Sequence, residues 1–485
     1  MRLGVYIILS LLVILSAAFA AYRYLARGKA DGGMGFMEYV KDPTAPNRLQ
    51  AEFAERDSVV AELAKESPEE LVGLLKKDAD QFGIPARAIE AAGPRVVPAL
   101  LAAMVDPSYR GGNQKDSFGS RIVEPIEGVL SCLEEFAPTE AVPVVAPLVR
   151  DESDDVRKLV ALLLGRIATD NAAEPIALLL RDEDDYVRSY AMRGILRAIE
   201  ADCVADGFRQ TVFDALIPLA FRRAISGSDD APRCLLGLDK ERAIPILTLP
   251  ERMTADQENL HEVFGALRES SVHVEDGTLF RILSELGDAN KYPADRVYGE
   301  TLMMLAMANS DKARKTIQES LGHPSQRVRE YAAEAQALAN GLGEPLAAVW
   351  EKLDELGWEN LSTPQKHVLS VRMLIDQVTN GGFLQYFVNS SSDHWPDAES
   401  GFIAIGAEHD TRLFRQALSK FGPEPPNVDR QTRHEQIATI AVNVEQLFDD
   451  IETEFYEDKY DREVLLLQYM LKNGDDFGEN AKRSD

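Results

Sequence analysis

A segment of some thirty residues that returns along the chain constrains the fold more than any other feature. Pro143-Val144-Val145-Ala146-Pro147-Leu148-Val149-Arg150-Asp151-Glu152 leads into Asp154-Asp155-Val156-Arg157. Pro175-Ile176-Ala177-Leu178-Leu179-Leu180-Arg181-Asp182-Glu183 leads into Asp184-Asp185-Tyr186-Val187-Arg188, which sets Arg157 and Arg188 31 residues apart. A later copy runs His323-Pro324-Ser325-Gln326-Arg327-Val328-Arg329-Glu330-Tyr331-Ala332, and a degenerate one Gly93-Pro94-Arg95-Val96-Val97-Pro98-Ala99-Leu100-Leu101. A period this short holds two short helices, and neither buries its apolar stripe alone. Stacked neighbours bury it continuously, which makes a solenoid. In the Asp-x-x-Val-Arg pattern the Asp is expected to cap the second helix, the Val to enter the core, and the Arg to pair with acids of the next unit. Arg157, Arg188 and Arg329 are thus read as ladder residues rather than ligand-binding ones. Between about 200 and 320 the copies are too degenerate to count, and Ser226 to Pro232 reads as a loop. Val59, Leu63, Leu71, Leu74 and Leu75 recur at helical spacing, and no run alternates like a strand, so the fold class expected is all-α.

From about 140 to 200 and near 323 to 340 the pattern resembles HEAT repeats, in the short bacterial form found in PBS-lyase-like proteins. The repeat region is assigned 49–343.

Charge and motifs bound the function. The 485 residues carry 52 Lys and Arg against 80 Asp and Glu, a formal charge of −28. That balance argues against direct nucleic-acid binding, which needs a basic surplus to neutralise phosphates. Cys132, Cys203 and Cys234 are odd in number and far apart, so they support neither a disulfide framework nor a cysteine zinc site. Phosphate loops, the dinucleotide fingerprint and the nucleophile elbow do not occur. His261-Glu262 and His434-Glu435 each lack the second histidine of a zinc-protease motif. His394 and His409 stand beside Asp393 and Asp410, and a metal there would require the two pairs to meet in space. The acid runs near 151–155 and 182–185 lack the Gly and terminal Glu of a calcium loop and are read as helix starts. No catalytic residue, metal or cofactor is assigned.

At the N-terminus, Leu3 to Ala21 is a run of 19 uncharged residues, about 28 Å as a helix and close to a bilayer's hydrocarbon thickness. Two readings stand. Ala18-Phe19-Ala20 fits a cleavable signal peptide, which would release a secreted protein. Arg23, Arg27 and Lys29 follow at once and favour a retained single-pass anchor with the bulk of the chain on the cytoplasmic side. Segment 1–30 is assigned as anchor or signal, and 31–48, rich in Gly, Pro and small polar residues, as a linker.

A different composition begins after Gly341-Leu342-Gly343. Trp350, Leu353, Leu356 and Trp358 open it. Leu361-Ser362-Thr363-Pro364-Gln365 reads as a helix start. Val368, Val371, Leu374, Ile375 and Val378 then share one face, and Asn380-Gly381-Gly382 is expected to end the helix. Next comes Phe383-Leu384-Gln385-Tyr386-Phe387-Val388-Asn389-Ser390-Ser391. Phe383, Tyr386 and Phe387 at i, i+3, i+4 read most simply as a core stripe, and Asn389, Ser390 and Ser391 as a helix end or cap. A ligand or partner pocket using Asn380, Gln385 and Asn389 is the competing reading.

With Ile405-Gly406-Ala407, Phe421-Gly422-Pro423 and Phe455-Tyr456 in the same order, this segment resembles the C-terminal domain family of the DNA-mimic proteins. Asn380, Gly381, Gly382, Phe383, Gln385, Tyr386, Phe387, Asn389 and Ser390 carry the likeness. The resemblance implies an all-α domain, assigned 344–478 ahead of a tail at 479–485. It further implies an acidic surface able to occupy the DNA-binding face of a regulator. Residues 345 to 485 hold 26 Asp and Glu against 13 Lys and Arg, a charge of −13. On a continuous helix Asp450, Glu454, Glu457 or Asp458, and Asp461 would fall on one face. With Asp449 they are the expected partner-binding residues, although a merely solvated face would show the same row. The function expected is a non-enzymatic, membrane-tethered interaction scaffold whose acidic domain docks a basic protein. An enzyme or small-ligand sensor with a site around Asn380 to Asn389 is the alternative.

Overall fold

The computed structural model describes residues 45–76, 83–111, 124–222, 230–255, 259–342, 345–440, 447–457 and 461–477. Leu3 to Ala21, the linker as far as residue 44, Asp458 and the tail lie outside the described residues. All regular elements among the described residues are helical. The chain forms two compact units, one over Ala51–Met304 and one that contains Leu305–Asp485.

The first unit is a stack of helical hairpins. Its helices are α1 (Ala45–Leu63), α2 (Pro68–Leu74), α3 (Ile84–Ala92), α4 (Val97–Val105), α5 (Pro125–Phe136), α6 (Val142–Val145), α7 (Asp154–Ile167), α8 (Asp170–Leu179), α9 (Asp185–Glu200), α10 (Asp206–Leu216), α11 (Ala231–Leu238), α12 (Lys240–Leu247), α13 (Pro250–Ala255), α14 (Leu260–Glu269), α15 (Asp276–Leu286) and α16 (Ala294–Ala308). Second helices pack in series, α5 on α7, α7 on α9, α9 on α11 and α11 on α14. Most first helices carry a proline, such as Pro143 in α6 and Pro175 in α8. A proline removes one amide donor from the ladder, and α6 passes into a 3-10 turn at Ala146–Arg150. The repeats that sequence leaves uncounted show in the backbone. Ala137, Ala168, Asp202, Ser271 and Asn309 all have positive φ just past a second helix, where the chain reverses into the next unit.

The recurring core of the pattern works as its chemistry suggests, with two changes. Val156, Val187 and Val328 are fully buried. Asp184 caps α9, its carboxylate accepting the Val187 N–H at 3.0 Å. In α7, however, the capping side chain is Ser153 rather than an aspartate, because Ser153 occupies the residue three before Val156. Arg157 reaches forward as expected, its Nε and Nη2 donating to both oxygens of Asp182 at 2.8 and 3.1 Å. Arg188 turns instead to Asp185 of its own helix. A second ladder ties neighbouring second helices. Glu134 of α5 accepts from Arg166 of α7 and Arg197 of α9, and Arg233 of α11 holds Glu262 and Glu269 of α14. Arg268 of α14 pairs with Glu300 of α16.

Ile84–Val105 is long and apolar enough to cross a membrane by length and composition. It is two helices, α3 and α4, divided at Gly93 with φ 72°, and Ala88, Ile89, Val96, Leu100 and Ala103 are buried within the stack. Those contacts are what a repeat hairpin needs, so the segment is accounted for without a bilayer.

The second unit holds α17 (Asp311–Ser320), α18 (Gln326–Ala339), α19 (Pro345–Leu356), α20 (Thr363–Val388), α21 (Trp395–Ile405), α22 (Glu408–Ser419), α23 (Arg430–Ile440), α24 (Asp449–Tyr456), α25 (Arg462–Lys472) and α26 (Gly474–Phe477). Its core is aromatic. Phe383, Tyr386, Phe387, Phe402, Phe414, Phe448 and Phe455 are all buried, with ring centroids 5 to 6 Å apart at Phe383–Phe455, Phe387–Phe448 and Tyr386–Phe387.

Candidate functional site: a broken helix and the acids around it

α20 starts where its sequence says. Ser362 and Gln365 form a reciprocal capping box, and Pro364 sits in the first turn, where an amide donor is not needed. The helix breaks at Gly381 and Gly382 and resumes to Val388. Gly382 has φ 82° and ψ 176°, a conformation that only glycine adopts cheaply. A β-carbon on Gly382 would also lie 2.4 Å from a carboxylate oxygen of Glu452. The break leaves backbone groups without helical partners. Glu452 of α24 accepts the Phe383 N–H at 2.7 Å, and the Tyr456 hydroxyl donates to the Val378 carbonyl at 2.9 Å. Burial pushes the Glu452 carboxyl above its ordinary range, against the pull of that N–H.

The far end of α20 is closed by cations. Arg433, fully buried, donates to the Phe387 carbonyl at 2.7 Å and to the Asn389 carbonyl at 3.1 Å. It also reaches Asn427 and Val428 carbonyls and the Asp393 carboxylate at 2.6 Å. Arg430 and His434 both donate to the Val388 carbonyl. Positive groups at a helix C-terminus satisfy orphan carbonyls and favour the helix dipole, and the bond to Asp393 offsets the burial of the guanidinium.

The motif residues divide accordingly. Phe383, Tyr386 and Phe387 are core. Gln385 and Asn389 both donate to the Gln377 side-chain oxygen, at 3.0 and 2.6 Å. Asn380 and Ser390 are exposed. The three amides proposed for a pocket are therefore not gathered around a space: two of them brace the helix break, and the third faces solvent. The Tyr386 hydroxyl is buried and makes no hydrogen bond among the described residues.

The acids do not form one row. α24 ends at Tyr456, and Asp461, with φ 54°, stands at the start of α25. The expected continuous helix from Asp450 to Asp461 is corrected by the end of α24 at Tyr456 and the left-handed backbone of Asp461, and Asp458 lies outside the described residues. Asp461 accepts from Nε and Nη2 of Arg329 instead, at 2.6 and 2.8 Å. What remains at the surface is Asp449 and Asp450 in the first turn of α24, Glu454 one turn on, and Glu457 just past its end. Asp450 meets Lys420 at 3.2 Å, and Glu454 accepts from Arg412 at 2.5 Å. Beside them α21 and α22 frame an open groove of about 670 Å³, lined by Phe402, Ile403, Arg412 and Arg415 among others.

Other histidines are packed by ring contacts. His394 stacks on Trp358 with centroids 3.6 Å apart, and His367 meets the Tyr469 hydroxyl at 3.0 Å. His394 and His409 do not converge on a metal site: among the described residues no group of His, Cys, Asp and Glu is placed to hold an ion.

A helical-repeat protein with a C-terminal helical domain is the class this architecture defines. Residues 127–196 match HEAT repeats, and residues 359–473 match the family described as DMP19-like protein. No curated protein matches the chain. Sequence reasoning missed Glu452, Gln377 and Arg433, which carry most of the polar structure of the site. Only the Gly381-Gly382 pair signalled that a break needed supporting groups.

Proposed function

We propose that the chain is a non-enzymatic interaction scaffold, tethered to a membrane through Leu3 to Ala21, and that its C-terminal domain docks a basic protein. HEAT repeats suggest protein–protein interaction in general, and the DMP19-like domain is consistent with it. The observation that supports the basic partner is the exposure of Asp449, Asp450 and Glu457 around α24, with Glu454 beside them. Fixed surface anions attract a cationic partner over a Debye length of about 8 Å. Lys420 and Arg412 compete for two of these acids, so the face suits a partner whose own basic groups replace them. A DNA-binding regulator, whose groove-reading surface is basic, has that chemistry. The tie of Gln385 and Asn389 to Gln377 favours a structural role for the Asn380–Asn389 motif over a ligand pocket.

Binding of a labelled lysine- and arginine-rich helical peptide to the full chain, titrated against salt, tests the docking face. Asp449→Asn, Asp450→Asn, Glu454→Gln and Glu457→Gln together are expected to weaken binding and flatten its salt dependence with the fold intact. Binding unchanged by the four substitutions refutes the face. The tether is tested by extraction: the chain is expected to stay with membranes through a high-salt wash, and a mature N-terminus at Ala21 refutes it.

A further inference from the structure

Three arginines of the repeat pattern use one geometry. The Nη1 of Arg157 donates to the carbonyls of Asp151 and Glu152, that of Arg188 to Asp182 and Glu183, and that of Arg329 to His323 and Pro324. Each pair of acceptors lies six and five residues before the arginine, so the guanidinium pins the turn ahead of its own helix. In Arg157 the remaining fork, Nε and Nη2, grips Asp182, which precedes α9, the second helix of the following unit. In Arg329 the same two nitrogens grip Asp461, which precedes α25. The atoms pair identically, Nε with Oδ2 and Nη2 with Oδ1, although Asp461 lies 132 residues away in sequence and in a different domain family.

Packing agrees. α18 lies against α25, as α7 lies against α9. Ala333 and Ala337 of α18, and Leu342 just after it, belong to the same hydrophobic cluster as Val464, Leu466, Leu467 and Met470 of α25 and the aromatic centre of the C-terminal domain. Alanines at positions 333 and 337, one turn apart, let the two helices approach closely. Asp461 makes no capping bond to its own helix, so its carboxylate faces Arg329 rather than α25.

We infer that α25 is seated as the second helix of a further repeat unit, so that the hairpin α17–α18 is the partner of an interaction surface on the DMP19-like domain and the two fold as one body. This surface takes a repeat hairpin bearing an arginine at the Val-Arg position. It also withdraws Asp461 from any acidic face offered to another protein. The family match, 359–473, then undercuts the folding unit, which starts at the hairpin.

Hydrogen exchange on the full chain tests this. Asp461→Asn keeps the shape and removes the charge. It is expected to speed exchange on the order of tenfold in both 326–339 and 462–472, while leaving 154–167 and 185–200 unchanged. Asp182→Asn is expected to do the reverse. Arg329→Gln reads the contact from the other side and has to release 462–472 at least as much as Asp461→Asn does. In rising urea the two segments should lose protection at one midpoint. Acceleration confined to 462–472, no acceleration at all, or separate midpoints for 326–339 and 462–472 would overturn the inference.

Discussion

Gly194→Ala sets two well-known effects against each other at the crossing of α7 and α9. Alanine is a better helix former than glycine by about 1 kcal/mol, so on an isolated helix the change stabilises. Here the new methyl would sit 2.4 Å from the Leu162 carbonyl oxygen and 3.0 Å from the Gly165 α-carbon. Ordinary contact begins near 3.4 Å, so the helices must part by about 1 Å. A gap of that size forfeits a quarter to a half of each dispersion contact across the seam. That seam contains Val160, Leu163, Leu164, Ala191 and Ile195, all fully buried. Overpacking of this kind costs about 3 kcal/mol at the upper end of its usual range, leaving a net loss of about 2 kcal/mol. Both neighbours of the methyl are backbone, which cannot swing aside as a side chain would. Exchange of amides in 154–167 and 185–200 is then expected to quicken roughly thirtyfold. Gly73, with nothing within 4 Å of an added methyl, is the internal control, and Gly73→Ala should be neutral or slightly stabilising. Protection unchanged or increased by Gly194→Ala would mean that the helices do not meet backbone to backbone, and the repeat packing argued from that contact would be wrong.

Val156→Asp and Val187→Asp each place a charge at a fully buried site and should destabilise the stack by several kcal/mol, read as a lowered urea midpoint; unchanged unfolding in both would remove the packed repeat. Acid should weaken the C-terminal domain. Burial holds His367, His394 and His434 below their ordinary value of 6.5 in the folded state, so the stability they contribute is present above 6.5 and is lost as pH falls below it. Asp376 and Glu452, whose carboxyls burial raises, oppose this by favouring the folded state as pH falls toward their titration range. His434→Gln can still donate to the Val388 carbonyl but cannot titrate. Stability measured from pH 7 to 5 is expected to slope less in that variant, and an identical slope would exclude His434 as a contributor.

The repeat was legible because its physics is local. Val156 and Val187 recur with their capping and arginine neighbours at fixed offsets, and such a pattern admits few folds other than stacked hairpins. The start of α20 at Ser362, Pro364 and Gln365 was legible for the same reason, since a capping box spans four residues. The continuous acidic row was not. Periodicity extended a helix through Tyr456, whereas α24 ends there and Asp461 meets Arg329, a partner 132 residues away in sequence. The Gly381-Gly382 break announced itself as a helix end, but sequence did not show that the helix resumes. Glu452 and Tyr456, brought close by the fold, supply the bonds that the break leaves open, and Phe383 carries the chain back into the aromatic core. Sequence alone thus determined which segments are helices, which residues enter the core, and that helices stack in units, because capping and amphipathic period act over a few residues. Tertiary structure decided which acids remain at the surface and which are consumed inside. A carboxylate's partner is whatever the fold sets within about 3 Å of it, and that distance is not written in the order of the chain.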